Sequence, residues 1–461
     1  MSSPVIHHGS FRDISGFLFY EDDRLLRQVN QEGKDDFVRL HKSGLYDALT
    51  AKGWLIPHKE IEGHPGAAPN AHQVIQPEKV DFISYPYEWC FSQLKDAALL
   101  TLRIQKAALR HGMWLKDASA YNVQFHRGKP VFIDTLSFAR YEKGKPWPAY
   151  RQFVEHFLAP LALMSYAHPD MNRLLCLYLD GVPLDRVVAL LPARARWKPS
   201  LWMHIFLHAR AQKKHEDNPS KTRQSRLSEK RLLNLLESLG QAVQGLKLNT
   251  RKSQWAAYYS FTNYSETAFE QKKTLVADFL KRLHPGKVWD LGANTGEFTR
   301  LAGEMDANCI AFDVDPLAVE AFYQENKRQK TGNILPLIMD LTNPSPATGW
   351  ANRERDSLMG RDLPDALMAL ALIHHLAISN NLPFGKIAAF FAALAPSLVI
   401  EFVPKTDSQV QKLLAHRADI YPHYDALHFE QAFSAYFDIA DKQSIAGTQR
   451  ILYLMKRTKP E

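Results

Sequence analysis

Cysteine is nearly absent from this 461-residue chain: Cys90, Cys176 and Cys309 stand far apart, and none belongs to a C-x-x-C pair. Neither a disulfide framework nor a thiolate zinc site organises such a sequence, and a reducing cytoplasm is the expected home. Long apolar runs are missing too. The most apolar segments, "DALMALALI" and "AAFFAALAPSLVI", fall short of the roughly 18 apolar residues that a membrane span needs. The start, "MSSPVIHHGSFRD", has no basic residues leading into an apolar stretch, so neither a leader nor a membrane span is expected. With no internal repeat or low-complexity tract, the length is read as two ordinary domains, each large enough to bury its own interior.

What is present is an uneven charge. The formal net charge is +8, yet residues 255–461 hold 21 basic against 24 acidic side chains, so the excess lies in front. Residues 210–252 alone carry 11 basic and 4 acidic residues. Two readings of this segment stand: a contact for a polyanion, such as RNA or a nucleotide-linked substrate, or a solvated linker. No aromatic residue interleaves the charges there, as nucleic-acid-binding segments usually require, which favours the linker.

Three parts are expected along the chain: an α+β domain over 1–210, a basic helical linker over 211–254, and an α/β domain over 255–461. In the first, "GFLFY" and "RLLRQVN" read as paired strands. "KDDFVRLHKSGLYDALTAKG" reads as a helix ending at Gly53, and "SQLKDAALLTLRIQKAALRHG" as one stopping at Gly112. In the last, short apolar strands alternate with helices, the pattern of a parallel sheet with crossover connections.

The clearest motif is "KVWDLGANTGEFTRLAGEM": strand, glycine turn, helix start. A strand running into Gly292, Asn294 and Gly296 brings backbone N–H groups and a helix N-terminus against a ligand, with Asp290 aimed at the same place. The next strand, "CIAFDVD", ends in Asp313, 23 residues after Asp290, where a carboxylate accepts both hydroxyls of a ribose. "NILPLIMD" ends in Asp340, an acid suited to an adenine amino group. The central glycine of G-x-G-x-x-G is missing, which argues against a pyrophosphate at the turn.

On these residues the segment resembles the class I S-adenosylmethionine-dependent methyltransferases. The resemblance implies a Rossmann-like seven-stranded sheet, with Asp290, Gly292 and Gly296 at the amino-acid end of the cofactor, Asp313 at the ribose and Asp340 at the adenine. Asn294 departs from the glycine common there, but Asn tolerates a left-handed backbone. "DALMALALIHH" reads as the fourth strand, "SLVIEFV" as the fifth, and "YFDIADKQSI" with "RILYLMKR" as the closing hairpin. Of His374 and His375, expected at the fourth strand's end, one faces the cofactor and serves as a general base, or both only bond backbone. Glu401 is expected to orient substrate or to cap a helix. Trp255, Tyr258, Tyr259, Phe261 and Tyr264, crowded ahead of the first strand, read as a lid.

In the front domain, "WLKDASAYNVQFHRGKPVFIDTLSF" sets Asp117, then Asn122 five residues on, then Asp134 twelve further. Phosphoryl transfer needs an aspartate to orient the attacking hydroxyl and two side chains to hold magnesium. The spacing resembles the catalytic loop of kinase-like phosphotransferases, which implies Asp117 as the catalytic aspartate, Asn122 and Asp134 as metal ligands, and Mg and ATP as cofactors. No phosphate-covering G-x-G-x-x-G precedes it, and Arg27 or Lys34 stands in for the usual lysine.

Taken whole, the chain resembles bacterial two-part methyltransferases related to a rhizobial nodulation protein. The implied function is methylation of an oxygen or nitrogen on an unspecified acceptor, with a kinase-like accessory domain. A bifunctional phosphotransferase/methyltransferase and a non-catalytic cofactor-binding scaffold remain as alternatives.

Overall fold

The computed structural model describes residues 3–211, 227–248, 265–415 and 419–458. The chain divides into two units, Met1–Thr250 with Ala347–Arg355, and Arg251–Pro346 with Asp356–Glu461. This division departs from the expected boundaries in two places. The helix Glu229–Gly245, expected within a linker, buries Leu232, Leu236, Leu239 and Val243 and belongs to the first unit. There it is tied to the helix Phe91–Arg110 by the pair Lys106–Glu237 and by Lys95 donating to the carbonyls of Gln244 and Leu246. Residues 347–355, meanwhile, leave the second half of the sequence and are held in the first unit. Arg12 donates twice to the buried Glu354, at 2.6 and 2.9 Å, and Arg355 lies over the Tyr121 ring at 4.7 Å.

The first unit opens with a five-stranded antiparallel sheet of β1 (Val5–Ile6), β2 (Gly16–Glu21), β3 (Arg24–Asn30), β4 (His58–Ile61) and β5 (Ala71–Pro77), in the order β1-β2-β3-β5-β4. The β2–β3 hairpin turns at Asp22 and Asp23, both at positive φ, the conformation that suits the strands' right-handed twist. The helix expected up to Gly53 breaks instead at Gly44, φ +72°, into Lys34–Lys42 and Leu45–Thr50. A left-handed residue cannot continue an α-helix, and glycine adopts that conformation without strain. The helix Phe91–Arg110 follows and stops before Gly112 as its spacing predicts. Two short antiparallel pairs follow, β6 (Met113–Leu115) with β9 (Phe138–Arg140) and, between them in the chain, the hairpin β7 (Val123–His126) with β8 (Lys129–Phe132).

The second unit is one seven-stranded sheet of β10 (Lys287–Leu291), β11 (Asn308–Asp313), β12 (Ile334–Ile338), β13 (Ala366–Ala369), β14 (Ser397–Phe402), β15 (Phe437–Ser444) and β16 (Ile451–Arg457). The order is β12-β11-β10-β13-β14-β16-β15, and only β16 runs against the rest. The central strands read as continuous apolar runs because helices cover both faces; all four residues of β13 are buried. Strand count and closing antiparallel pair are as the resemblance implies. Among the described residues no helix is long and apolar enough to cross a membrane.

Candidate functional site

In the second unit a cavity of about 420 Å³ opens at the carboxyl ends of β10, β11 and β12, the edge at which open parallel sheets bind ligands. β10 delivers Asp290 and then turns through Gly292, Asn294 and Gly296, whose φ values are +80°, +50° and +83°. Asn294 therefore holds the left-handed conformation expected of it. Its N–H donates to Asp313 Oδ2 at 2.8 Å, and the N–H of Asp315 donates to Oδ1 at 2.9 Å, so both oxygens of Asp313 are oriented by backbone. Burial pushes the Asp313 carboxyl up to about 6, against these bonds.

Asp290 is 2% exposed and accepts from Thr299 Oγ1 at 2.6 Å. Burial raises its carboxyl to about 7; Thr299 opposes the shift, Asp313 adds to it, and Lys272 opposes it. Asp340 accepts from the N–H and hydroxyl of Thr342. Asp290, Gly292, Asn294, Asp313 and Asp340 all line the cavity. Gly296 does not. It packs against Phe322, where a Cβ would lie 1.9 Å from the ring.

The two histidines differ from expectation in their backbone. β13 ends at Ala369, and His375–Ser379 form a short π-helical turn, so the rings do not point to opposite faces of a strand; their centroids are 4.2 Å apart. The chain leaves the sheet early, through Ala371 at φ +50°. His375 lines the cavity, and burial lowers its affinity for a proton. His374 is fully buried, both ring nitrogens lack a hydrogen-bond partner among the described residues, and burial drives its pKa well down.

Glu401 neither caps a helix nor lies among the cavity-lining residues. It is fully buried and accepts from Lys272 at 2.6 Å, from the Ala371 N–H at 2.8 Å and from Arg450 at 3.2 Å. Lys272 and Arg450 do line the cavity, and neither was picked out by sequence reasoning. A signal was available: Lys272 falls on the buried stripe Ala268, Lys272, Val276, Phe279, Leu280 of the helix Glu266–Leu283, where a charge needs a partner. Trp255, Tyr258, Tyr259, Phe261 and Tyr264 lie outside the described residues.

In the first unit Asp117, Asn122 and Asp134 join one hydrogen-bonded chain. Asn122 bonds the Asp117 side chain and donates to Ser137 Oγ at 3.2 Å, while Ser137 Oγ donates to Asp134 Oδ2. Arg27 from β3 pairs with Asp134 Oδ1 at 2.5 Å, and the Leu136 N–H donates to the same oxygen. Asp117 is raised first by burial and then by Asp134; Asp134 stays low because Arg27 and Ser137 outweigh its burial. Of the two residues suggested for the missing lysine, Arg27 reaches the acids.

A glycine turn and three strand-end acids around one cavity define an α/β protein with an open crevice at the carboxyl edge of its sheet. The chain belongs to the family of the nodulation protein NoeA of Rhizobium meliloti (strain 1021): it is 37% identical over 465 residues, covering 98% of this chain and 96% of that protein. No family model matches the sequence. Among solved structures, the N-methyltransferase NodS from Bradyrhizobium japonicum WM9 in complex with S-adenosyl-L-homocysteine is 13% identical and covers 45% of this chain and 98% of its own, with a TM-score of 0.34. The magnesium protoporphyrin IX methyltransferase ChlM from Synechocystis PCC 6803 is 17% identical and covers 44% and 93%, with a TM-score of 0.32.

Proposed function

We propose that the second unit is an S-adenosylmethionine-dependent methyltransferase acting on an oxygen or nitrogen, with the first unit as its accessory domain. The observation that carries this reading is the set of three acids from three successive strands around one cavity, with Asp313 held in place by two backbone donors. Asp313 suits the hydroxyls of a ribose, Asp340 an adenine amino group, and Asp290 with Gly292 the charged amino-acid end. The fit extends to Asn294, which lines the cavity and whose buried Oδ1 has no hydrogen-bond partner among the described residues.

The cofactor supplies a methyl group on an electrophilic sulfonium. The chain binds and orients it, keeps water out, and removes the acceptor's proton. His375 is the residue for that last task, since burial keeps its imidazole neutral and able to accept a proton.

Calorimetry on the full chain tests the reading: S-adenosylmethionine and its demethylated product should bind in the micromolar range, and Asp313→Ala should cost about 2 kcal/mol of that affinity by removing charged hydrogen bonds. No binding overturns it. Labelled cofactor incubated with RNA, nucleotide-linked, protein and glycan fractions then names the acceptor class. Binding without label transfer to any fraction would instead support a non-catalytic scaffold.

A second reading concerns the first unit. Its five-stranded antiparallel sheet, following helix, two short antiparallel strand pairs and linked Asp117, Asn122 and Asp134 support a kinase-like layout. The residues do not fit a magnesium site as they stand, because both oxygens of Asp134 are engaged by Arg27, Leu136 and Ser137. The reading supported is a kinase-like fold retained as a scaffold. A rise in melting temperature with magnesium and ATP would restore the bifunctional alternative.

A further inference from the structure

Within the first unit, the short helix Pro199–Leu201 continues as a wider turn, Trp202–Leu207, and is fixed from its inner side. Leu201, His204, Ile205 and Phe206 are buried, and His204 bonds Tyr150 Oη at 2.8 Å and Ser238 Oγ at 2.9 Å. A helix anchored in this way normally turns polar residues outward. This one does not. Trp202 is 44% exposed, Met203 48% and Leu207 44%, and Trp197, just ahead of the helix, is 85% exposed. Leu190, at the end of the neighbouring helix Leu184–Leu190, adds another exposed apolar side chain.

The charge of the segment that carries this patch is mainly positive. Residues 182–211 contain five basic side chains, Arg186, Arg194, Arg196, Lys198 and Arg210, and one acid, Asp185. Two of the arginines are held at the rim: Arg194 donates to the Tyr166 carbonyl at 2.9 Å, and Arg196 lies over the Phe206 ring at 5.6 Å.

From this we propose that the face bearing Trp197, Trp202, Met203 and Leu207 docks on an anionic lipid surface. Indole rings sit well at the headgroup level, where one edge is wet and the other apolar, and the arginines and lysine of the same segment match the negative potential of such a surface. A second copy of the chain fits poorly, since the same basic rim would meet itself. The sequence that follows, residues 212–226, offers no aliphatic or aromatic side chain to cover two tryptophans. The proposal is independent of the methyltransferase reading and extends to docking only, without a membrane span.

Vesicle co-sedimentation of the full chain tests it. Vesicles of about one-third phosphatidylglycerol in phosphatidylcholine should carry the protein down, pure phosphatidylcholine should not, and binding should weaken steeply with salt. The double variant W197S/W202S should bind the anionic vesicles roughly tenfold less, through lost apolar insertion, with an unchanged melting temperature because both rings are on the surface. R194S/R196S should lower binding in the same assay. Absence of sedimentation with anionic vesicles overturns the proposal, as does W197S/W202S binding like the parent. A parent that is dimeric by light scattering and becomes monomeric in W197S/W202S would assign the face to self-association and overturn it equally.

Discussion

Lys272 and Glu401 form a buried ion pair at the wall of the cavity, Nζ to Oε2 at 2.6 Å, although 129 residues separate them. One lies on the helix ahead of the first strand of the sheet and the other near the end of β14, so the pair ties the entry of the second unit to its middle. Arg450, on the approach to β16, completes it by bonding Glu401 and Asp407. Each charge is paid for only while its partners are in place. Lys272→Met takes a cation away from the buried Glu401 and should cost about 3 kcal/mol in urea denaturation, whereas Lys272→Met with Glu401→Gln should cost less than the single change. Equal losses in the two variants would mean that packing, not charge pairing, sets the cost.

Asp290 and Asp313 make stability depend on pH in an unusual direction. Burial lifts their carboxyls to about 7 and about 6, above the ordinary 3.8, so between about pH 4 and 7 the folded chain holds protons that the unfolded chain has released. Their contribution is therefore fully present below about pH 4 and is lost as pH rises through 6 and 7. Asp290→Asn should flatten this decline. The check is a series of urea midpoints from pH 5 to 8, and parallel curves for parent and variant would refute the shift.

How much of this was legible beforehand follows from the range of each interaction. Asp290, Gly292, Asn294, Asp313 and Asp340 are set by local events, a strand end and a turn, and their spacing is written in consecutive residues. The Lys272–Glu401 pair and the excursion of residues 347–355 into the first unit depend on contacts between distant segments, which no periodicity carries. His374 and His375 fall between the two cases. An apolar run ending in "ALIHH" looks like strand throughout, but β13 stops at Ala369 and a helical turn takes over, a difference that burial on all sides hides from the pattern.

Those two histidines should separate cleanly by mutation. His375→Asn leaves a polar side chain at the cavity but no base, and should lower methyl transfer roughly 100-fold with cofactor affinity unchanged. His374→Leu removes two buried nitrogens that have no partner among the described residues, so its melting temperature should equal or exceed the parent's. A markedly lower melting temperature for His374→Leu would point to a hydrogen-bonded water or an equivalent contact at that ring.

Gly296 owes its place to geometry alone. At φ +83° with Phe322 filling the space where a Cβ would go, Gly296→Ala meets both backbone strain and a clash at 1.9 Å. It should destabilise the fold by more than about 2 kcal/mol, and Phe322→Ala in the same chain should relieve only the clash. Thermal denaturation of the single and double variants measures the division.

The last prediction concerns "KDASAYN" and "FIDT". Asp117 and Asp134 are both largely buried, and the charge that lets them coexist is Arg27, bonded to Asp134 at 2.5 Å. If Arg27 occupies the role of a cation, the parent should show no change in melting temperature with magnesium and ATP. Arg27→Met should then be destabilised by about 3 kcal/mol, since one partner of a buried pair is lost and the two carboxylates face each other. Magnesium at millimolar concentration should restore part of that loss in Arg27→Met and none in the parent, because Asp134 Oδ1, relieved of Arg27, and the Asn122 amide oxygen are ligands of the right kind. Arg27→Met with Asp134→Asn should regain stability without magnesium and lose the response to it. A parent already stabilised by magnesium and ATP would show that Arg27 yields to the metal and that the site works as a phosphotransferase centre. An Arg27→Met variant indifferent to magnesium would show that the loop from Asp117 to Asp134 is held by hydrogen bonds alone.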